Sequence, residues 1–276
     1  MILLLFFGPQ YKNKLNNMLY KKNIFDVGAF NGTDGLTLAL KNPDTFVHAF
    51  EANAVLAKGI KKLKSKIEGR IGRKIDNFKI HNVAVSNKSK IGQFYIAKNP
   101  TVSSLHKFSK NIDKTWPGYR KVHCHTVKKV KVKIITLKDF CLKNKIKIIN
   151  YLHVDTQGND LNVLKGMENL IGIVKQGVIE AAITKKSSLY QKNHTLNDVK
   201  NFFKKKNFSI KRIEPIESSV GNEVNIYYHN KNFNSFLDIK KNYNTRYLDR
   251  VASNRTKFKD NLKDFLIKGL NKAKGL

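Results

Sequence analysis

The run Asn23-Ile24-Phe25-Asp26-Val27-Gly28-Ala29-Phe30-Asn31-Gly32-Thr33-Asp34-Gly35 constrains the chain more than any other stretch. An apolar, β-prone segment ends in a carboxylate, turns on two glycines and passes into a helical pattern at Leu36, Leu38, Ala39 and Leu40. That order reads as strand, tight loop and helix. Gly28 and Gly32 free the backbone to turn sharply and to approach a ligand with no Cβ in the way. The helix that follows aims its free N–H groups and its positive end at the same point. Taken alone, such a loop also fits an ordinary strand-to-helix turn. The next strand supplies a second acid: Phe46-Val47-His48-Ala49-Phe50 leads to Glu51, which follows Asp26 at close to the ~20-residue offset of a carboxylate that grips ribose hydroxyls.

The glycine spacing bears on which cofactor is held. A dinucleotide loop wants G-x-G-x-x-G, whereas here Phe30 stands where a middle glycine would admit a pyrophosphate. NAD and FAD are disfavoured. S-adenosylmethionine carries a sulfonium and an amino-acid tail instead of phosphates, and it suits an Asp at a strand tip followed by a looser glycine loop.

A chain of 276 residues with 41% hydrophobic content has room for one α/β domain with appendages. Its net charge of +33 points towards nucleic acid, an anionic membrane or an acidic substrate. Only seven of the 53 basic residues are Arg, however, and Arg is what phosphate-reading and base-reading sites prefer. A solvated Lys-rich surface is the simpler reading. Cys124 and Cys141 form neither a disulfide framework nor a zinc pattern, which suits a reducing, cytoplasmic setting. The apolar start Ile2-Leu3-Leu4-Leu5-Phe6-Phe7 is stopped by Gly8-Pro9 and has no basic residue before it. It reads as an edge strand or packing arm rather than a signal peptide, and no segment approaches the ~18 continuous apolar residues of a membrane span.

Along the chain, a helix is expected from Asn53 to about Ile67 with Val55, Leu56, Ile60 and Leu63 on its apolar face, followed by a basic loop from Gly69 to Lys74. Phe78 to Val85 reads as one strand, and Gln93–Ala97 and Val130–Ile135 as two more. Between them the stretch 98–127 is an irregular insertion that carries Ser103, Ser104, His106, Trp116, Tyr119, His123 and His125. Polar and aromatic groups on a long connection suit substrate contact, and Trp116 and Tyr119 equally suit pinning the loop to the core. Ile146 to Asp155 looks like a central parallel strand with a carboxylate at its tip, and Gly177 to Ala182 repeats the pattern with Glu180. Val224 to His229 closes the core, antiparallel to its neighbour. Such alternation of strands and helices gives a doubly wound α/β sheet.

Four segments carry a family likeness: Asp26-Val27-Gly28-Ala29-x-x-Gly32, Ala49-Phe50-Glu51-Ala52-Asn53, Asn82-Val83-Ala84-Val85-Ser86, and Val154-Asp155-Thr156-Gln157-Gly158-Asn159-Asp160-Leu161-x-Val163-Leu164-Lys165-Gly166. Together they resemble the FkbM family of S-adenosylmethionine-dependent methyltransferases. The resemblance implies a class I methyltransferase, Rossmann-like sheet, mostly parallel and seven-stranded. It also implies methyl transfer to a hydroxyl of a sugar, glycan or small metabolite. Residue by residue, it implies that Asp26, Gly28 and Gly32 line the cofactor loop and that Glu51 lies at the ribose, with Ala29, Asn31 and Asn53 as further cofactor-binding candidates. Asn82 and Ala84 would lie at the adenine, and Asp155 at the junction of cofactor and acceptor.

The expected organisation is an N-terminal arm over 1–22, a methyltransferase domain over 23–231 and a basic C-terminal extension over 232–276, whose Phe258, Leu262, Phe265, Leu266 and Leu270 mark an amphipathic helix suited to packing or to contact with an anionic membrane. Asp155 is the first candidate for the base that takes the acceptor's proton, with Glu180 second. Ser103, Ser104, His106 and Gln157 are candidate substrate contacts. His153 alternates away from Asp155 and is expected to face core or helix. Asp155 and Glu180 lack a third ligand at convincing spacing, so no metal is assigned. The rivals are a nucleic-acid methyltransferase, for which no base-flipping or ribose-methylating motif is found, and a binding protein on a degenerate cofactor fold.

Overall fold

The computed structural model describes residues 22–118, 124–219 and 221–234. The expected arm before Lys22, the expected helix after Phe233, and Tyr119 and His123 lie outside the described residues. Strand β1 (Lys22–Val27) feeds through the glycine loop into α1 (Thr33–Lys41), and β2 (Thr45–Phe50) is followed by α2 (Ala54–Ile71) and β3 (Phe78–His81). A second, three-stranded sheet comprises β4 (Ala84–Val85), β5 (Lys90–Ala97) and β6 (Thr126–Ile135), with the short helix α3 (Ile112–Thr115) between the last two. The chain then runs through α4 (Leu137–Asn144), β7 (Tyr151–Val154), α5 (Asp160–Lys165), β8 (Gln176–Ala182), α6 (Leu196–Lys205), β9 (Phe208–Pro215) and β10 (Glu223–Asn230).

The large sheet has the order β3-β2-β1-β7-β8-β10-β9. Its first five strands are parallel, and β10 runs antiparallel to both neighbours. The sheet is therefore mixed, as the antiparallel last strand led us to expect. Alternation along β1 explains its two covered faces. Phe25 and Val27 join Leu152, Val154 and Leu164 in one apolar cluster, and Ile24 joins Leu36, Val47 and Ala49 in the other. Each such fully buried side chain contributes roughly 1.5–3 kcal/mol, which fixes the register of the central strands. Among the described residues no helix is long and apolar enough to cross a membrane.

Three expectations are corrected. The run from Phe78 to Val85 is not one strand: it leaves the large sheet after His81, and Ala84 and Val85 pair with Ile134 and Ile135 in the small one. Apolar alternation continues across the break and so conceals it. Helix α2 runs on to Ile71, because an exposed glycine such as Gly69 costs only about 1 kcal/mol and the helix ends where Gly72 adopts a left-handed conformation, φ 68°. Val55 is 76% exposed, and the buried face of α2 is Ala57, Ile60 and Ile67, with Leu63 packed beside them.

Candidate functional site

A cavity of about 290 Å³ opens at the carboxyl ends of β1, β2 and β7 and beside β8. Gly28 forms part of its floor with φ 93°, and both Gly28 N–H and Ala29 N–H donate to Phe50 O at 3.0 Å. A Cβ built on Gly28 would lie 1.7 Å from Asp155 O, so the close approach this glycine permits is that of the neighbouring strand's backbone. Gly32 starts α1 in a left-handed conformation, and Ile60 fills the space where a side chain would be.

Glu51 is 6% exposed and holds the loop with both oxygens: Oε2 accepts from Phe30 N–H at 2.9 Å and Oε1 from Asn53 N–H at 2.7 Å. A carboxylate has about four acceptor positions, so two are left for a ligand in the cavity. Burial pushes its pKa up to about 7 against the pull of those two amides, with Asp26 and Asp155 adding repulsion.

Four carboxylates line the cavity: Glu51, Asp155, Glu180 and Glu223. Among the described residues lining it there is no Lys, Arg or His, in a chain that carries 53 basic residues. Burial raises the pKa of Asp155, with His153 and Gln157 opposing, and raises that of Glu180 further, helped by the charges of Asp155, Asp160 and Glu223. Glu223 is pushed up to about 8 by burial, then by Asp160 and Asp155. Asp160, which does not line the cavity, is pushed up to about 7 by burial and by Asp155 while accepting Thr156 N–H at 2.8 Å and Gly158 N–H at 3.0 Å. The remaining wall mixes apolar side chains with hydroxyls and the Gln157 amide, and its apolar part comes partly from the 98–127 insertion, including Val102, Leu105 and Trp116.

Of the sequence candidates, Gly28, Glu51, Ala84, Ser103, Asp155, Gln157 and Glu180 line this cavity and the others do not. Asp26 is 2% exposed and lies behind the floor, with Oδ1 2.9 Å from His153 Nδ1. Ala29 is packed in the core; Asn31 is exposed and accepts from Thr33 N–H at 3.0 Å; Asn53 caps α2 by accepting from Val55 N–H at 3.0 Å. Asn82 donates to Glu51 O at 2.8 Å and to Ala52 O at 3.2 Å, tying the tips of β2 and β3 together. Ser104 donates to Gln157 O at 2.6 Å and accepts from His106 backbone N–H at 2.9 Å, so the Ser104 hydroxyl is spent on bracing the insertion. Trp116 pins the insertion, its Nε1–H donating to Ser187 O at 2.8 Å, and it is also among the residues that line the cavity.

His153 corrects the alternation argument. Residues two apart on a strand share a face, so alternation does not set His153 against Asp155, and β1 and β7 pair Asp26 with His153 in register, which puts those two side chains on one face. Burial works against its charged form, yet the hydrogen bond to Asp26 and the charges of Asp26, Asp155 and Asp34 hold its pKa at about 9. Asp34, in the first turn of α1, is raised to about 6 by burial and by Asp26, with His153 opposing. Glu223 and Tyr190 were missed by the sequence reading: neither ends a parallel strand, and pairing register and loop packing bring them in. Among the described residues no group of three His, Cys, Asp or Glu side chains is placed to hold a metal ion.

The Methyltransferase FkbM domain model matches residues 26–210. Among solved structures, the chain is similar to a methyltransferase FkbM from Methylobacillus flagellatus KT at 11% identity and a TM-score of 0.48, covering 76% of this chain and 44% of that one. It is also similar to TrmK from M. capricolum, solved with S-adenosyl-homocysteine (12%, TM-score 0.41, 84% and 73% covered). A third is magnesium protoporphyrin IX methyltransferase from Synechocystis PCC 6803, solved with bound SAM (9%, TM-score 0.42, 80% and 76% covered). This chain thus spans less than half the length of the Methylobacillus protein. No curated protein sequence matches it. The domain match extends from the aspartate of the glycine loop to the strand β9, across every parallel strand tip that faces the cavity, and on it the chain belongs to the FkbM methyltransferase family.

Proposed function

We propose that this protein transfers a methyl group from S-adenosylmethionine to a hydroxyl of a sugar, glycan or small metabolite, and that it does so in the cytoplasm. The observation that supports this reading is one cavity, floored by the Gly28 loop and walled by Glu51 and Asp155, inside a domain matched by the FkbM model. The residues present fit a cationic cofactor, since four carboxylates face the cavity with no base among the described residues lining it. When bound, the cofactor supplies a methyl on a positively charged sulfur, which an oxygen attacks in line as the carbon–sulfur bond breaks and a neutral thioether is left.

The chain's own work is alignment, exclusion of water and custody of one proton. Glu51 is placed to accept ribose hydroxyls with its two remaining positions. Asp155 is placed to orient the acceptor hydroxyl and take its proton, and its raised pKa makes it a better base at neutral pH than an ordinary aspartate. Glu180 stands beside it as the second acid. The same acid lining disfavours an anionic group in the cavity, so a neutral hydroxyl is favoured over a phosphate-bearing acceptor.

Two measurements test the cofactor assignment. Glu51→Ala is expected to weaken S-adenosylmethionine binding by roughly 1–3 kcal/mol, the worth of a charge-assisted hydrogen-bond pair. Unchanged affinity removes Glu51 from the site. Secondly, a cation entering among carboxylates with raised pKa values lowers those values and expels protons. Affinity should therefore climb between pH 6 and 8, by about tenfold per pH unit for each proton released. Calorimetry at one pH in two buffers of different ionisation enthalpy reads the release directly, and S-adenosylhomocysteine, without the sulfonium, should release fewer protons. Buffer-independent heats, or binding strengthened by added RNA, would overturn the reading, the latter in favour of a nucleic-acid acceptor.

A further inference from the structure

One side chain at the cavity is held in an unfavourable backbone conformation by contacts from three directions. Gln157 has φ 55°, a left-handed value that costs a residue with a Cβ free energy. Its carbonyl accepts from Ser104 Oγ at 2.6 Å, its Nε2 reaches Asp155 Oδ1 at 2.6 Å, and its Oε1 lies 2.8 Å from the Tyr190 hydroxyl. Tyr190 is itself 2% exposed and stacked on Phe108 at 5.5 Å. Its ring fills the space above Gly158, where an added Cβ would lie 2.7 Å from Cδ2. The ring is fixed, and with it the place of the hydroxyl.

The Tyr190 hydroxyl has one proton and faces two acceptors, Gln157 Oε1 at 2.8 Å and Val102 O at 2.9 Å. While Gln157 Nε2–H donates to an ionised Asp155, one of those two acceptors always goes without. If the amide of Gln157 turns over and Asp155 carries a proton, the chain closes with no group left short. Asp155 O–H then donates to Gln157 Oε1, Gln157 Nε2–H donates to the Tyr190 oxygen, and Tyr190 O–H donates to Val102 O.

We propose that Asp155, Gln157 and Tyr190 form a relay in which the Gln157 amide turns over when Asp155 takes up a proton, with Tyr190 as the positioning residue that favours the protonated carboxylate. Its service to methyl transfer rests on the role given to Asp155 above; the relay itself does not. The protonated state uses two hydrogen bonds to Tyr190 and the ionised state uses one. Removing the hydroxyl therefore penalises proton uptake. The other charged and titratable groups that bear on Asp155 are His153 and Asp26 behind it, Glu51 from β2, Asp160 from α5, and Glu180 and Glu223 from β8 and β10; all stay in place in the variants below.

The test is a carboxyl ¹³C titration of the full, cofactor-free chain labelled at aspartate, with Asp155→Asn used only to assign the signal. Tyr190→Phe is expected to lower the Asp155 midpoint by about one pH unit, the equivalent of a single neutral hydrogen bond. In a Gln157→Met background, which keeps the length of the side chain and removes the amide, adding Tyr190→Phe is expected to change nothing further. An unmoved or raised midpoint in Tyr190→Phe, or the same shift in both backgrounds, overturns the relay. Should Tyr190→Phe fail to fold, the side-chain ¹⁵N signal of Gln157 in the unaltered protein decides: it must change with the midpoint of Asp155, and a constant signal overturns the proposal. Because no cofactor is present, these outcomes are independent of whether S-adenosylmethionine binds.

Discussion

Replacing Gly28 by Ala should lower the melting temperature by about 10 °C and abolish cofactor binding. An alanine there inherits a φ of 93°, which alone costs about 1–3 kcal/mol, and its Cβ would sit 1.7 Å from Asp155 O and 2.7 Å from the carbon behind it. Neither partner yields easily. Asp155 N–H is tied to Val27 O at 2.9 Å, while Gly28 and Ala29 are both tied to Phe50 O at 3.0 Å, so relief requires parting β1 from β7 or from β2. A total on the order of 3–5 kcal/mol follows, and a domain of this size loses roughly 2–4 °C per kcal/mol. The loop that shifts also carries Phe30 N–H, one of the two amides that orient Glu51. Gly59→Ala is the internal control: nothing lies within 4 Å of its added Cβ in the exposed interior of α2, so it should be neutral or stabilise by up to about 1 kcal/mol. If Gly28→Ala melts within a degree or two of the unaltered protein, the close approach of the two strands does not constrain this position.

What the sequence disclosed about this site follows a physical boundary. The tips of parallel strands are legible, because an apolar run ending in an acid marks both the strand and the end that faces a ligand; Asp26, Glu51, Asp155 and Glu180 were all found this way. Which face each tip presents is less legible. Asp26 and Asp155 follow neighbouring apolar runs in the same pattern, yet Asp26 lies inside β1 and turns behind the floor towards His153, while Asp155 stands two residues further along the register, just past the end of β7, and lines the cavity. Polar residues near those tips have structural work of their own: Asn31, Asn53 and Asn82 satisfy backbone groups at a turn, a helix start and a strand end. Asn is favoured at such places for its own hydrogen bonds, so its presence beside a glycine loop says little about a cofactor. Tyr190 and Glu223 had no local signal at all, since the first enters by packing over Gly158 and the second by the register of β10 on β8.

The pair beneath the floor gives the second large effect, and its sign can be worked through. His153 has an ordinary unfolded pKa of about 6.5 and is held at about 9 in the folded protein. Because the folded value is the higher, the stability it contributes is fully present below pH 6.5 and is lost as pH rises through about 9. A shift of that size corresponds to on the order of 3 kcal/mol, and it depends chiefly on Asp26. Asp26→Asn should therefore destabilise the protein by about that amount at pH 6 in urea melts, with the deficit shrinking towards pH 10. Comparison with the unaltered protein at each pH is needed because other groups titrate as well. The acids of the cavity have raised values and also cost stability as pH climbs towards 8. His48 and His81, buried with Nδ1 and Nε2 3.2 Å apart and both kept from protonating by burial, cost stability as pH falls below 6.5. Subtracting the two proteins cancels these to first order. The residue of the subtraction has its own sign: loss of the Asp26 charge relieves Asp34, Glu51 and Asp155, which trims the deficit at neutral pH and makes its decline with pH steeper. A deficit that stays constant from pH 6 to 10 would mean that the imidazole is neutral throughout, and that the pair is an uncharged hydrogen bond rather than an ion pair placed behind Asp155.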